Sequence, residues 1–578
     1  MRGKIGLILI CLVVLSSCSF NNGLSSMSSS NHNEPSFDTS DSSSIDASCQ
    51  YPSIDENQLN NMFTDKDLKD TYDATNAIYI NLNSNFITCS SSNVSISNNI
   101  ATISSSGTYI ISGAINEGMI KVDVPKTDKA TLVFKDATFK NIHYPALYNY
   151  SSDKIFVFFE GNNNMTTSST FAMVNGENTD GVIYSKDGIT LNGKGSVNIN
   201  SSSHGIVGND DVKFTGGTYC ITSEGHAIKA NDSVRVSDGI FSLTSGKDGI
   251  HVNNSASLGY FYMNGGNIEV NASGDGLSAS EYVYIKNGSL NLTCGGGNSA
   301  LLTSESTKGI ICPNDIVIER GIIDIDSCSD SIHSNTSIWI KGGIINVLSG
   351  DDGIHADTSI IIEGGDIDIK KAYEGIEAQN VTINGGNIKI NANDDGINGS
   401  GGNDSSSSTG RPGSNNFNSS SNAFISIRGG SVYVKSKGDG LDVNGSLEIS
   451  GGLVIVEGPT KRGNGPLDYD STGKITGGTI LSIGTNDMAM NFTSATQGSA
   501  LININGSVGS QIKVEDSQGK TLFTFVSTIS FSSLLFSCED FSLNNTYKIS
   551  VDSSSKEITF TSYINGSGSS FRPGPGGR

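Results

Sequence analysis

Proline is scarce in this chain, 10 residues in 578, tryptophan occurs once, and 36 basic residues stand against 58 acidic ones. The resulting net charge of -22 excludes nucleic acid or an anionic surface as a direct partner, and polyanions would be met only through bound cations. No Cys-x-x-Cys pair or other metal-ligand spacing organises the 9 cysteines, so they read as mostly buried small apolar residues, with a disulfide left open. The apolar run from Ile5 to Leu15 is too short to span a bilayer. Glycine, by contrast, is abundant at 69 residues, a balance that suits strand-and-turn repeats and not helix bundles.

Met1-Arg2-Gly3-Lys4, the short apolar run and Ser16-Ser17-Cys18 have the order of a lipoprotein signal over residues 1–18: a basic start, an apolar centre and a thiol at the cleavage site. A diacylglyceryl group on Cys18 is the expected anchor, which places the mature protein on the extracellular face of a bacterial cell membrane. Residues 19–50 are rich in Ser and Asn and too poor in apolar groups to offset the entropy of ordering, so they read as a tether, followed by a linker over 51–85.

Internal repetition governs the rest. The unit is an acid, Gly and Ile, a short strand, Gly-Gly, and a second short strand, as in Asp352-Gly-Ile and then Ile360-Ile-Ile-Glu-Gly-Gly-Asp-Ile-Asp-Ile369, with a period of about 22 residues. Ile360, Ile362, Ile367 and Ile369 alternate with polar residues, the period-2 mark of strands with one buried face. A propeller blade needs about 40 residues, and the leucine frame of a horseshoe and the spacing of calcium-binding nonapeptides are both missing. An all-β, right-handed parallel β-helix remains, with irregular coils and a cap over 86–180, regular coils over 181–498 interrupted by a polar loop at 401–422, a small β domain closing the end over 499–564, and a tail at 565–578. Asn209, Asn231, Asn253, Asn335 and Asn444 share a register and predict a ladder of stacked amides at one bend.

Equivalent positions of a β-helix stack at about 4.8 Å, so register becomes a list of neighbours. Two residues before each central apolar residue come His204, His226, Asp248, Asp275, a gap near Asn298, then Asp330, Asp352, Glu374, Asp395 and Asp439; Asp351 and Asp394 double the file, and Glu377 and Asp442 stand across the next strand. Stacked like charges repel by about 3 kcal/mol per pair at an effective dielectric of 20. Oxygen-only clusters outside the cell select Ca²⁺ as the neutralising ion, which makes Asp330, Asp351, Asp352, Glu374, Glu377, Asp394, Asp395, Asp439 and Asp442 the candidate metal ligands. The bland alternative is that each acid caps local N–H groups at its turn. His251, His333, His355 and Glu377 line up one position after the central Ile; pairing with the acids competes there with transition-metal ligation. Tyr262, Tyr284 and Trp339 alternate with inward residues and so point outward on one face, which suits sugar rings or plain cross-strand pairing.

The repeat, the opening Ala101-Thr-Ile-Ser-Ser-Ser-Gly-Thr-Tyr-Ile-Ile-Ser-Gly113, the segment Ile183-Tyr-Ser-Lys-Asp-Gly-Ile-Thr-Leu-Asn-Gly193 and the closing Val514-Glu-Asp-Ser-Gln-Gly519 together resemble the carbohydrate-binding domain-containing lipoproteins common in clostridia, over about residues 86 to 560. The resemblance implies a β-helix similar to that of family nine polysaccharide lyases, calcium sites, and binding of cellulose-like or pectic glycans without established catalysis. His204 and His226 depart from it, standing where acids are expected. The expected function is therefore a monomeric cell-surface protein that binds extracellular polysaccharide with Ca²⁺. A calcium-dependent pectate lyase stays open, although Lys247, Lys371 and Lys437 are not marked out by register as its base; so does an adhesin or structural surface protein.

Overall fold

Ile332 faces Ile354 and Ile354 faces Ile376 in a parallel ladder, so residues one repeat apart in sequence are physical neighbours. The computed structural model describes residues 59–254, 258–302, 306–400 and 422–566, all within one compact unit, Cys49–Arg578. The signal with Cys18, the tether, most of the polar loop and most of the tail lie outside the described residues.

Three parallel ladders run along the unit. One carries the strands after each acid-Gly pair, such as Ile332–Ser334; the second carries strands such as Ser337–Ile340; the third carries those after Gly-Gly, such as Ile344–Ser349. Together they make a parallel β-helix of about 16 coils averaging about 23 residues. The average exceeds the basic period because the steps from Ile250 to Leu277, Leu277 to Ile310 and Ile397 to Leu441 carry insertions. Ile360, Ile362, Ile367 and Ile369 all point into the coil and are buried, part of one apolar core running the length of the ladders.

The Gly-Gly pairs are a requirement of stacking. Gly343, Gly365 and Gly386 adopt φ of 102°, 103° and 94°, and a Cβ on Gly365 would lie 2.9 Å from the carbonyl oxygen of Gly343. Only glycine allows both the left-handed backbone and the close approach.

The predicted asparagine ladder is not formed. Asn209, Asn231, Asn253 and Asn444 continue the stack through their backbone N–H groups, and the Asn209 amide turns to the Tyr184 hydroxyl at 3.1 Å. Asparagines that do close bends with their amides lie earlier: Asn141 binds the carbonyls of Gly118 and Tyr144, and Asn163 those of Glu160 and Ser196.

Parallel pairing begins at Ile78–Asn83, inside the stretch expected to be linker. At the other end the direction changes. Phe531–Ser537 pairs antiparallel with the last third-ladder strand, Thr479–Gly484, and a four-stranded antiparallel sheet centred on Gln511–Asp516 and Thr546–Val551 follows. Phe536, Phe541 and Phe560 fill a separate core there.

Candidate functional site: an acidic edge and a covered aromatic face

The register of the first ladder sets His204, His226, Asp248, Asp275, Lys308, Asp330, Asp352, Glu374, Asp395 and Asp439 in one file along the corner entering its strands. Each of five acids accepts the backbone N–H of the next file member: Asp248 from Asp275 at 3.0 Å, Asp275 from Lys308 at 2.7 Å, Asp330 from Asp352 at 3.2 Å, Asp352 from Glu374 at 3.1 Å, and Asp395 from Asp439 at 2.6 Å. The turn-capping role is therefore built. The two histidines perform it as well. His204 Nδ1 accepts from the N–H of His226 at 2.9 Å, and His226 Nδ1 from that of Asp248 at 3.1 Å. Acceptance requires the neutral ring, and burial depresses the two imidazoles to about 4 and about 3.

The gap in the file is filled by a cation that counting along the repeat misses. Lys308 is buried, and its ammonium pairs with the Asp330 carboxylate. His333 Nδ1 reaches the same carboxylate at 2.8 Å. Burial would raise the Asp330 carboxyl, but Lys308 and then His333 hold it well below the usual range. Asp330, expected among the metal ligands, is thus engaged by protein donors on both oxygens. Of the three lysines considered as bases, Lys371 binds the carbonyl and amide oxygens of Asn298 at 2.6 and 2.7 Å and Lys437 the Asn393 amide oxygen at 2.6 Å, while Lys247 is exposed.

The histidine column is continuous only from His333 through His355 to Glu377, on consecutive coils. Ser278 and Ile311 separate His251 from His333. His355 sits among carboxylates, 3.3 Å from Asp352, 3.0 Å from Glu377 and 3.4 Å from Asp357. Burial works against its charge, yet hydrogen bonds to those three acids lift the imidazole well above its ordinary value. One ligand atom each of Asp352, His355 and Glu377 lies within 4.8 Å of the others.

Past His355, no described lysine or arginine pairs with the acids of the file. Asp352 and Glu374 are pushed well above the carboxylate range by burial, with neighbouring acids adding to it. Asp395 is pushed up to about 7 by burial and Asp394, Asp439 to about 8 by burial and Asp395, and Asp442 to about 8 by burial, Asp395 and Asp439. Oxygens of Asp395, Asp439 and Asp442 lie within 4.8 Å of one another, as do those of Asp330, Asp351 and Asp352. Asp394 and Asp395 both press on Gly438, where a Cβ would collide with their oxygens. Asn398 stands between Glu377 and Asp442 in the adjoining column. Its amide nitrogen donates to Glu374 at 2.7 Å, and its amide oxygen is buried with no hydrogen-bond partner. Three clustered carboxylates, with a neutral amide in register beside one of them, are oxygen donors of the kind that fits a hard cation such as Ca²⁺.

The aromatic residues are placed differently from expectation. Tyr262 and Tyr284 do point out of the second ladder, but they are only 2% and 4% exposed. Leu59, Met62 and Phe63, at the start of the described chain, pack over them together with Tyr260, Val317 and Trp339. Arg235, paired with Asp211 at 2.8 Å, donates to the Met62 carbonyl at 2.9 Å. Asp67, whose carboxylate is buried, fastens the same segment through Lys154, Thr190 and Lys213. Trp339 keeps partial exposure, with the Lys341 ammonium 4.0 Å from its ring centre. Tyr262, Tyr284 and Trp339 thus form the bed of an intramolecular strap, and the first two offer no open platform to a sugar.

A family model described as carbohydrate-binding domain-containing protein matches residues 97–353 and 352–519. A curated relative of the same description from Acetivibrio thermocellus is 39% identical over 210 residues, 35% of this chain and 73% of the relative. The solved structure of a polysaccharide lyase-like protein from C. thermocellum is 26% identical, with a TM-score of 0.38 over 43% of this chain and 96% of that one.

Proposed function

We propose that this chain, which belongs to the family of carbohydrate-binding domain-containing proteins, binds an extracellular plant-type polysaccharide through Ca²⁺ held on its acidic edge. The observation that carries the reading is the meeting of Asp395, Asp439 and Asp442 within 4.8 Å, with Asn398, whose amide oxygen has no hydrogen-bond partner, in register with Asp442. These residues would hold the ion, with Asp394 beside them and with Asp351, Asp352, Glu374 and Glu377 extending the negative field. A bound Ca²⁺ supplies charge neutralisation and open coordination positions for ligand oxygens. With Tyr262 and Tyr284 covered, recognition falls to this edge. That favours polygalacturonate, whose carboxylates need the cation, over a cellulose-like glycan stacked on rings.

Binding is preferred to β-elimination because Lys308, the lysine in the file, is paired with Asp330 and Lys371 with Asn298, so neither is presented as a base. Cys18 would carry the lipid that holds the protein on the outer face of the cell membrane.

The test is retention of polygalacturonate and of cellulose by the protein in Ca²⁺ and in EDTA. Polygalacturonate binding lost in EDTA and restored by Ca²⁺ is expected. Binding indifferent to chelation overturns the calcium reading, and accumulation of unsaturated product absorbing in the ultraviolet overturns the preference for binding.

A further inference from the structure

The acid file changes character between Asp330 and Asp352. On one side Lys308 lies in register between Asp275 and Asp330. Its backbone N–H binds Asp275 at 2.7 Å, its ammonium binds Asp330, and the Ser329 hydroxyl lies 3.4 Å from the same ammonium. A lysine is buried only when its charge is paired, and here the pairing is made within the file. On the other side no described lysine or arginine pairs with Asp352, Glu374, Asp395, Asp439 or Asp442.

We propose that Lys308 is a built-in counter-ion that ends the metal-binding stretch of the file: its ammonium takes the place of a divalent cation at its coil, so that ions are confined to the carboxylates from Asp351 onward. The inference rests on the calcium reading given above and assigns Lys308 as the residue that sets how many ions the edge takes. The ammonium supplies one positive charge to the Asp330 carboxylate and has no vacant coordination positions, so that carboxylate is neutralised yet presents nothing to a ligand. Upstream, His204 and His226 are taken up as acceptors of the next corner amides, and Asp248 is paired with His251 at 2.8 Å. The edge then divides into a closed half and a metal-bearing half at a single residue. The insertion that precedes Lys308 lengthens the step from Leu277 to Ile310 and brings the lysine into register.

The experiment counts ions. The full chain, wild type and Lys308→Asp, is stripped by chelation and titrated with Ca²⁺ by calorimetry and with Tb³⁺ by sensitised luminescence, while circular dichroism reports the fold. Lys308→Asp makes the acid file continuous and is expected to bind one more ion per chain than wild type and to depend more on Ca²⁺ for its melting temperature. Lys308→Arg, which keeps the charge, is expected to bind the wild-type number. A folded Lys308→Asp with the wild-type count overturns the proposal. Should Lys308→Asp fail to fold with or without Ca²⁺, Asp330→Asn decides: an unchanged count supports Lys308 as the partner of Asp330, and loss of an ion overturns it. A wild type that takes up no ion refutes the calcium reading, and a gain of one ion by Lys308→Asp would still separate that failure from the failure of this one.

Discussion

His355 Nδ1 and Glu377 meet at 3.0 Å across one coil step, both buried, with Asp352 3.3 Å from the same nitrogen and Asp357 on Nε2 at the other side of the imidazole. Removing one member of a buried ion pair leaves the other charge uncompensated and typically costs about 3–5 kcal/mol. His355→Leu is therefore expected to lower unfolding free energy by about 3 kcal/mol at neutral pH in denaturant titration. The double variant with Glu377→Gln should lose clearly less than the sum of the two single variants. Additive losses would mean the contact carries no coupling.

The carboxyls of Asp395, Asp439 and Asp442 are raised to about 7, about 8 and about 8. A carboxyl raised on folding binds its proton more tightly in the folded chain than in the unfolded one. In chelator, stability from these groups is present below about pH 4 and is lost as pH rises through about 8. Ca²⁺ should remove that decline by taking the protons' place. Melting temperature recorded from about pH 4 to about pH 9 in EDTA and in Ca²⁺ checks this; parallel curves would contradict it.

Asn398 is predicted to matter through its oxygen. Asn398→Leu should weaken Ca²⁺ binding by about 10-fold or more in calorimetry, whereas Asn398→Asp should bind at least as tightly as wild type. Equal affinity in all three proteins would remove the amide from the site.

Trp339 is the single tryptophan, so its fluorescence reports on the strap. Met62→Ala should cost about 2 kcal/mol of stability, shift Trp339 emission to longer wavelength and make it easier to quench with iodide. An unmoved spectrum would mean the segment does not shield the ring.

What the sequence makes legible follows from what repeats. The Ile columns, the Gly-Gly corners and the acid file each recur with fixed spacing, so the coil, its stacked strands and the neighbour relations of Asp352, Glu374 and Asp395 can be read from the order of residues alone. One-off features escape that reasoning. Leu59, Met62 and Phe63 occur once and outside the repeat, so nothing in the register says that they cover Tyr262 and Tyr284. Lys308 is hidden by the insertion before it, since counting forward from Asp275 leads to Asn298, and only the pairing of Leu277 with Ile310 gives the right coil. His204 and His226 look like departures because charge is compared; compared as hydrogen-bond acceptors, they match.

That equivalence has an evolutionary consequence. At His204, His226, Asp248, Asp275, Asp330, Asp352 and Asp395 the corner uses a lone pair aimed at the next amide, and both a neutral imidazole and a carboxylate supply it. Electrical character can then be rewritten one coil at a time while the solenoid stays as it is, which lets members of such a lineage diverge in the ions they take without any change of architecture.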